Sequence, residues 1–169
     1  VQSRLYKRRG QFDLPPLWME GEAKYLTAEQ STIDSMLLRD VVESALLPSL
    51  EYLKYGRAGY YTYVLGAEMF RVLSGAHSDE LLAVHGARDN GIMKKMRFGD
   101  HMRIELYENL WRYSTFDEAF AGTYGVPFKD FSRYFHEYMR YVYGSHLDSG
   151  RVAVDMTAER LNVEWAWQP

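Results

Sequence analysis

The feature that most constrains this chain is a run of aromatic side chains at helical spacing. In "FKDFSRYFHEYMRYVYG", Phe128, Phe131, Phe135, Tyr138 and Val142 recur every three or four residues. On a helix they form one apolar stripe, which has to be buried against other elements. The same period appears upstream. Ile33, Leu37, Leu38, Val41, Ala45 and Leu46 mark a helix between residues 27 and 47, and Val64, Ala67, Met69, Phe70 and Leu73 mark another between 60 and 75. These patterns predict a mainly α fold.

The punctuation between the stripes sets the expected boundaries. Residues 1–9 read as the tail of a helix with Gly10 as its stop, and "QFDLPP" as an extended connector, because each Pro disfavours helix in the residue before it. A helix then starts near Pro16 or Leu17, where Pro is tolerated in the first turn, and runs to about Leu26. Thr27 followed by Glu29 and Gln30 predicts a capped start to the next one. "PSLEYLKYGRAG" is a break with a short turn or two. Shorter helical pieces are expected at 79–85, 93–97 and 101–111. "STFDEAF" at 114–120 is a strong helix start, with a Ser or Thr cap and acids in the first turn. After "SHLDSG" the period changes to two: "RVAVDM" and "LNVEWAW", joined by "TAER", predict a short β-hairpin at the C-terminus. The expected organisation is a helical lobe over 1–147 and a β ribbon over 148–169 that would open a following domain.

Composition removes several functions. With 169 residues, a hydrophobic fraction of 47% and a charged fraction of 25%, the chain suits one ordinary globular domain. A net charge of −3 gives no electrostatic reason to expect nucleic acid, and the basic run "YKRRG" at 6–10 reads as a solvated helix end. There is no cysteine, which excludes disulfides, thiolate zinc sites and a cysteine nucleophile. No apolar stretch approaches the ~20 residues that span a bilayer. The chain does not begin with Met and shows no signal peptide, so it is expected to be a piece of a longer protein.

Chemistry-bearing residues are sparse. The five His, at 77, 85, 101, 136 and 146, form no i, i+4 pair. "GRAGYYTYVLG" lacks the glycine spacing of a phosphate or dinucleotide loop. Most suggestive is "LPPLWMEGEAKYLT", where Glu20 and Glu22 occupy the first turns of a helix that opens with Pro15, Pro16 and Trp18. Two residues apart lie about 200° around a helix, so the two carboxylates cannot face one metal. Trp18 and Tyr25 are expected to pack, and Glu22 to be solvated.

This stretch resembles the P-x-W-x-x-E-G-x-A-x-Y stretch of gluzincin metallopeptidases, most closely of their peptidase MA-like domains. "YTYVLGAEMFRVL" is similar to the family's Y-x-x-G-A helix, and "TFDEAFAGTYGVPFKDF" to its closing F-x-x-A-F-x-x-x-F-G element, with Tyr124 in place of the third Phe. The resemblance covers roughly residues 1–144. It implies the helical C-terminal lobe of a zincin-like metallopeptidase, acting on a peptide or protein substrate with zinc as cofactor. Glu20 falls on the third metal ligand, beside two His, which leaves one position for water. Tyr63 falls on the residue that steadies the oxyanion. Periplasmic or extracellular placement is implied by the family alone.

The chain departs from the family in one large respect: it contains no H-E-x-x-H. In gluzincins the second His precedes the ligand Glu by about twenty residues, and counting back from Glu20 reaches Val1 or just before it. The expectation is that the two His ligands and the general-base Glu lie upstream in the full protein, and that these 169 residues alone are inactive. The alternatives are a metal-free pseudopeptidase relative serving as a helical binding or interaction module, and a plain helical protein whose likeness is accidental.

Overall fold

Two consecutive prolines launch the first helix of the computed structural model, which describes residues 14–27, 31–56, 59–75 and 95–144. Pro15 is the extended cap and Pro16 opens the helix, where a missing N–H costs nothing because that group would have no intrahelical partner. The described residues form seven helices and no strand: α1 (Pro16–Leu26), α2 (Thr32–Glu43), α3 (Leu50–Tyr55), α4 (Tyr60–Leu73), α5 (Asp100–Asn109), α6 (Phe116–Tyr124) and α7 (Phe128–Gly144). The expected helices at 1–9 and 79–85, the first two residues of that at 93–97, and the hairpin in 148–169 lie outside the described residues. Residues 96–98 are not helical; there the backbone N–H of Arg97 donates to Tyr124 O at 2.9 Å.

Local chemistry explains most boundaries and corrects both ends of α2. Thr27 does not cap α2. It ends α1, with its backbone N–H donating to Ala23 O and its hydroxyl to Lys24 O. The cap lies one turn later, where Ser31 and Asp34 form a capping box. α2 also stops before Leu47. Ala45 adopts φ 56°, its N–H donates to Val42 O, and the Leu46 N–H donates to Val41 O. This is a Schellman ending, built around an alanine where glycine is usual. α6 starts at the Thr115–Glu118 capping box, as "STFDEAF" predicts, and is closed by Gly125 with φ 80°.

α4 is the central helix. All but one of its residues from Val64 to Leu73 are buried, so it is apolar on nearly every side and needs neighbours all round. α1 crosses one side of it. The stripe of α7 is buried at Phe128, Phe131, Phe135 and Tyr138, while Val142 is partly buried; α7 packs on α2 and α3. Trp18 sits at the middle of the core, 1% exposed. Its ring meets Phe70 edge-on at 4.5 Å, Phe116 at 5.5 Å and Phe120 at 6.3 Å, the edge-to-face arrangement that aromatic quadrupoles favour. Lys54 of α3 is buried as well. Its ammonium reaches both Asp117 carboxylate oxygens at 2.7 and 2.8 Å and lies 5.1 Å above the Phe128 ring, tying α3 to α6 and α7.

Candidate active site

The site is set by how closely α1 and α4 approach. Gly21 and Gly66 face each other at the crossing. A β-carbon on Gly21 would lie 2.5 Å from the Cα and carbonyl carbon of Gly66, and one on Gly66 would lie 2.6 Å from Gly21 Cα and 2.8 Å from Leu17 O. Only glycine lets two backbones come this near. The glycines of "MEGEA" and "LGAEM" are therefore one reciprocal contact, 45 positions apart in sequence.

That contact brings the two predicted site residues together. Glu20 immediately precedes Gly21, and Tyr63 lies one helical turn before Gly66. The Tyr63 phenol lies near enough to the Glu20 carboxylate to feel its charge. Glu20 is half-buried, and Tyr63 is 40% exposed. Interaction with the Glu20 carboxylate and its negative charge raises the Tyr63 pKa above the ordinary phenol value. The phenol thus keeps its proton and remains a donor.

Glu22 points the other way, as helical geometry requires, but it is not solvated. It is 2% exposed, accepts from Arg103 Nη1 at 2.7 Å, and accepts a short hydrogen bond from the Tyr107 hydroxyl. Tyr107 in turn accepts from Trp18 Nε1 at 3.3 Å. Burial pulls the Arg103 pKa down, yet the Glu22 carboxylate outweighs it and the net shift is upward. The local rule that an early-helix Glu faces water is overridden by a cation 81 residues away. Trp18 and Tyr25 pack as expected. Tyr25 stacks on Phe70 at 5.8 Å and donates to Asp100 Oδ1 at 3.0 Å.

A polar junction adjoins the Glu20–Tyr63 pair and was not legible in the sequence. Asp34, fully buried, accepts from the Tyr60 hydroxyl at 2.7 Å, from the Ser31 backbone at 2.8 Å and from Lys24 Nζ at 3.1 Å. Burial is the largest influence on its carboxyl and pushes the pKa up. The hydrogen bonds from Tyr60, Ser31 and Lys24 together win, and bring it down to about 2. Its one available signal, S-x-x-D at 31–34, competes with the similar Thr27 pattern one turn earlier.

Among the described residues no group of three His, Cys, Asp or Glu is placed to hold a metal ion. His136 Nε2 lies 3.2 Å from Leu47 O, and His101 is exposed on α5. Tyr124, where the resembling element has Phe, is buried in the aromatic core, and burial pushes its phenol pKa far up. Trp18 precedes Glu20 by two residues, one fewer than in the family's stretch; Leu17 and Trp18 are both 1% exposed, so either register puts a buried side chain there. Among the described residues no helix is long and apolar enough to cross a membrane. Comparison with protein families, with curated proteins and with solved structures gave no match to this chain.

Proposed function

We propose that this chain is the C-terminal helical lobe of a gluzincin-type zinc peptidase, contributing Glu20 as the third metal ligand and Tyr63 as the oxyanion donor. The observation that carries the reading is the Gly21–Gly66 crossing, which sets Glu20 and Tyr63 beside each other. Two residues 43 positions apart, singled out for complementary parts of one reaction, meet at one point on the surface.

The donor set of the described residues is incomplete. One carboxylate does not hold zinc against water, and the two imidazoles of such a site belong to an H-E-x-x-H segment that these 169 residues do not contain. When bound, zinc supplies an activated water and polarises a carbonyl. This chain's own contribution is positional. The glycine crossing sets Glu20 on α1, and Tyr63, protonated and partly exposed beside it, would donate to a carbonyl oxygen bound there as negative charge develops on it.

The deciding experiment reads the gene upstream of the Val1 codon and assays its full product. An H-E-x-x-H about twenty residues before Glu20, with zinc-dependent peptide hydrolysis lost in Glu20→Gln, supports the proposal. An upstream stretch without paired His overturns it and leaves a metal-free interaction module.

A further inference from the structure

Two capping boxes in this protein differ in a way that capping does not explain. In α6 the acid is Glu118. It is exposed and, among the described residues, accepts from the backbone N–H groups of Ser114 and Thr115, at 3.0 and 3.1 Å. That is all a helix start requires. In α2 the acid is Asp34, which has no exposed surface. One of its oxygens serves the Ser31 backbone and Lys24; the other is committed to the Tyr60 hydroxyl at 2.7 Å.

Tyr60 and Tyr63 are three residues apart on α4 and so share a face. Their rings stack at 6.5 Å with 28° between planes. Lys24, four residues after Glu20 on α1, approaches the same tyrosine, with Nζ 3.4 Å from the Tyr60 hydroxyl and 5.3 Å from its ring centre. The α1–α4 seam is thus pinned on one side by Tyr60, Asp34 and Lys24, one turn from where Tyr63 adjoins Glu20.

We infer that Asp34 is a positioning residue: by holding the Tyr60 hydroxyl it fixes the Tyr60 ring, against which Tyr63 is stacked and aimed at Glu20. The inference deepens the proposed active site and rests on that reading for its functional meaning. Its geometry can be tested without metal.

The test is NMR of the whole chain carrying ring-¹³C tyrosine, with the Tyr63 signal assigned by its loss in Tyr63→Phe. Glu20→Gln supplies the reference position of a Tyr63 that has lost its charged acceptor. In Tyr60→Phe, which keeps the stacked ring and removes only the tether, the Tyr63 signal is expected to move toward that reference. It should do the same in Asp34→Asn, and stay in place in Glu118→Gln, which weakens a helix cap elsewhere. If Asp34→Asn does not fold, Tyr60→Phe decides. An unmoved Tyr63 signal in Tyr60→Phe overturns the inference. A moved signal in a protein whose full-length product binds no zinc leaves the positioning intact and removes the peptidase reading; zinc with an unmoved signal does the reverse.

Discussion

Adding one methyl group at Gly21 tests the crossing that builds the site. In Gly21→Ala the new β-carbon starts 2.5 Å from backbone atoms of Gly66, and ordinary contact begins near 3.4 Å. The obstacle is backbone and cannot rotate away, so α1 and α4 have to separate by about 0.9 Å. Separation on that scale loosens the contacts of Leu17, Trp18 and Phe70 along the seam and costs about 3 kcal/mol, the upper end for overpacking. Alanine returns about 1 kcal/mol of helix propensity. The net loss is about 2 kcal/mol, or roughly 4–8 °C in Tm for a domain of this size. Gly66→Ala should behave alike, and the double substitution should cost less than the sum, because the first methyl has already parted the helices. The control is Gly122→Ala in α6, where the atoms nearest a β-carbon all belong to the side chain of Tyr113, itself 39% exposed. That variant should be neutral or more stable by up to about 1 kcal/mol. Thermal melts followed by circular dichroism read all four proteins. A Gly21→Ala protein as stable as Gly122→Ala would refute the reasoning.

Other expectations follow from single residues. Asp34, held at about 2 against an ordinary 3.8, contributes about 2 kcal/mol that is fully present above pH ~5 and is lost as the pH falls through ~2. The stability gap between wild type and Asp34→Asn in urea titrations should therefore close between about pH 4 and pH 2, and a gap independent of pH would contradict this. Ala45→Gly relieves the left-handed backbone at φ 56° and should stabilise by about 1 kcal/mol in the same melts. Removing either partner of the buried Glu22–Arg103 pair should cost about 3 kcal/mol, whereas Glu22→Leu with Arg103→Met together should cost clearly less than the two single losses combined.

How much of this could be read in advance depended on where each residue's partner lies. The stripe of α7 and the proline start of α1 follow from spacing and backbone chemistry within a few residues, and both appear where the sequence puts them. The start of α2 does not, because Thr27 and Ser31 offer similar caps one turn apart. The choice falls to Asp34, whose further bonds go to Tyr60 and Lys24 on other helices. Ala45 carries no mark of a left-handed residue; the end of α2 imposes it. Glu22 reads as a solvated acid until Arg103 is brought to it from α5. The pairing of Glu20 with Tyr63 was visible only through resemblance, and its physical cause, two glycines meeting across two helices, was present in the sequence merely as two short motifs.

The measurement that bears most directly on the central claim is the metal content of the gene's full product, purified and compared with its Glu20→Gln variant. One zinc per chain in the wild type and a large loss of zinc in the variant is the predicted result. A wild-type protein without zinc, or a variant that keeps it undiminished, would contradict the assignment of Glu20.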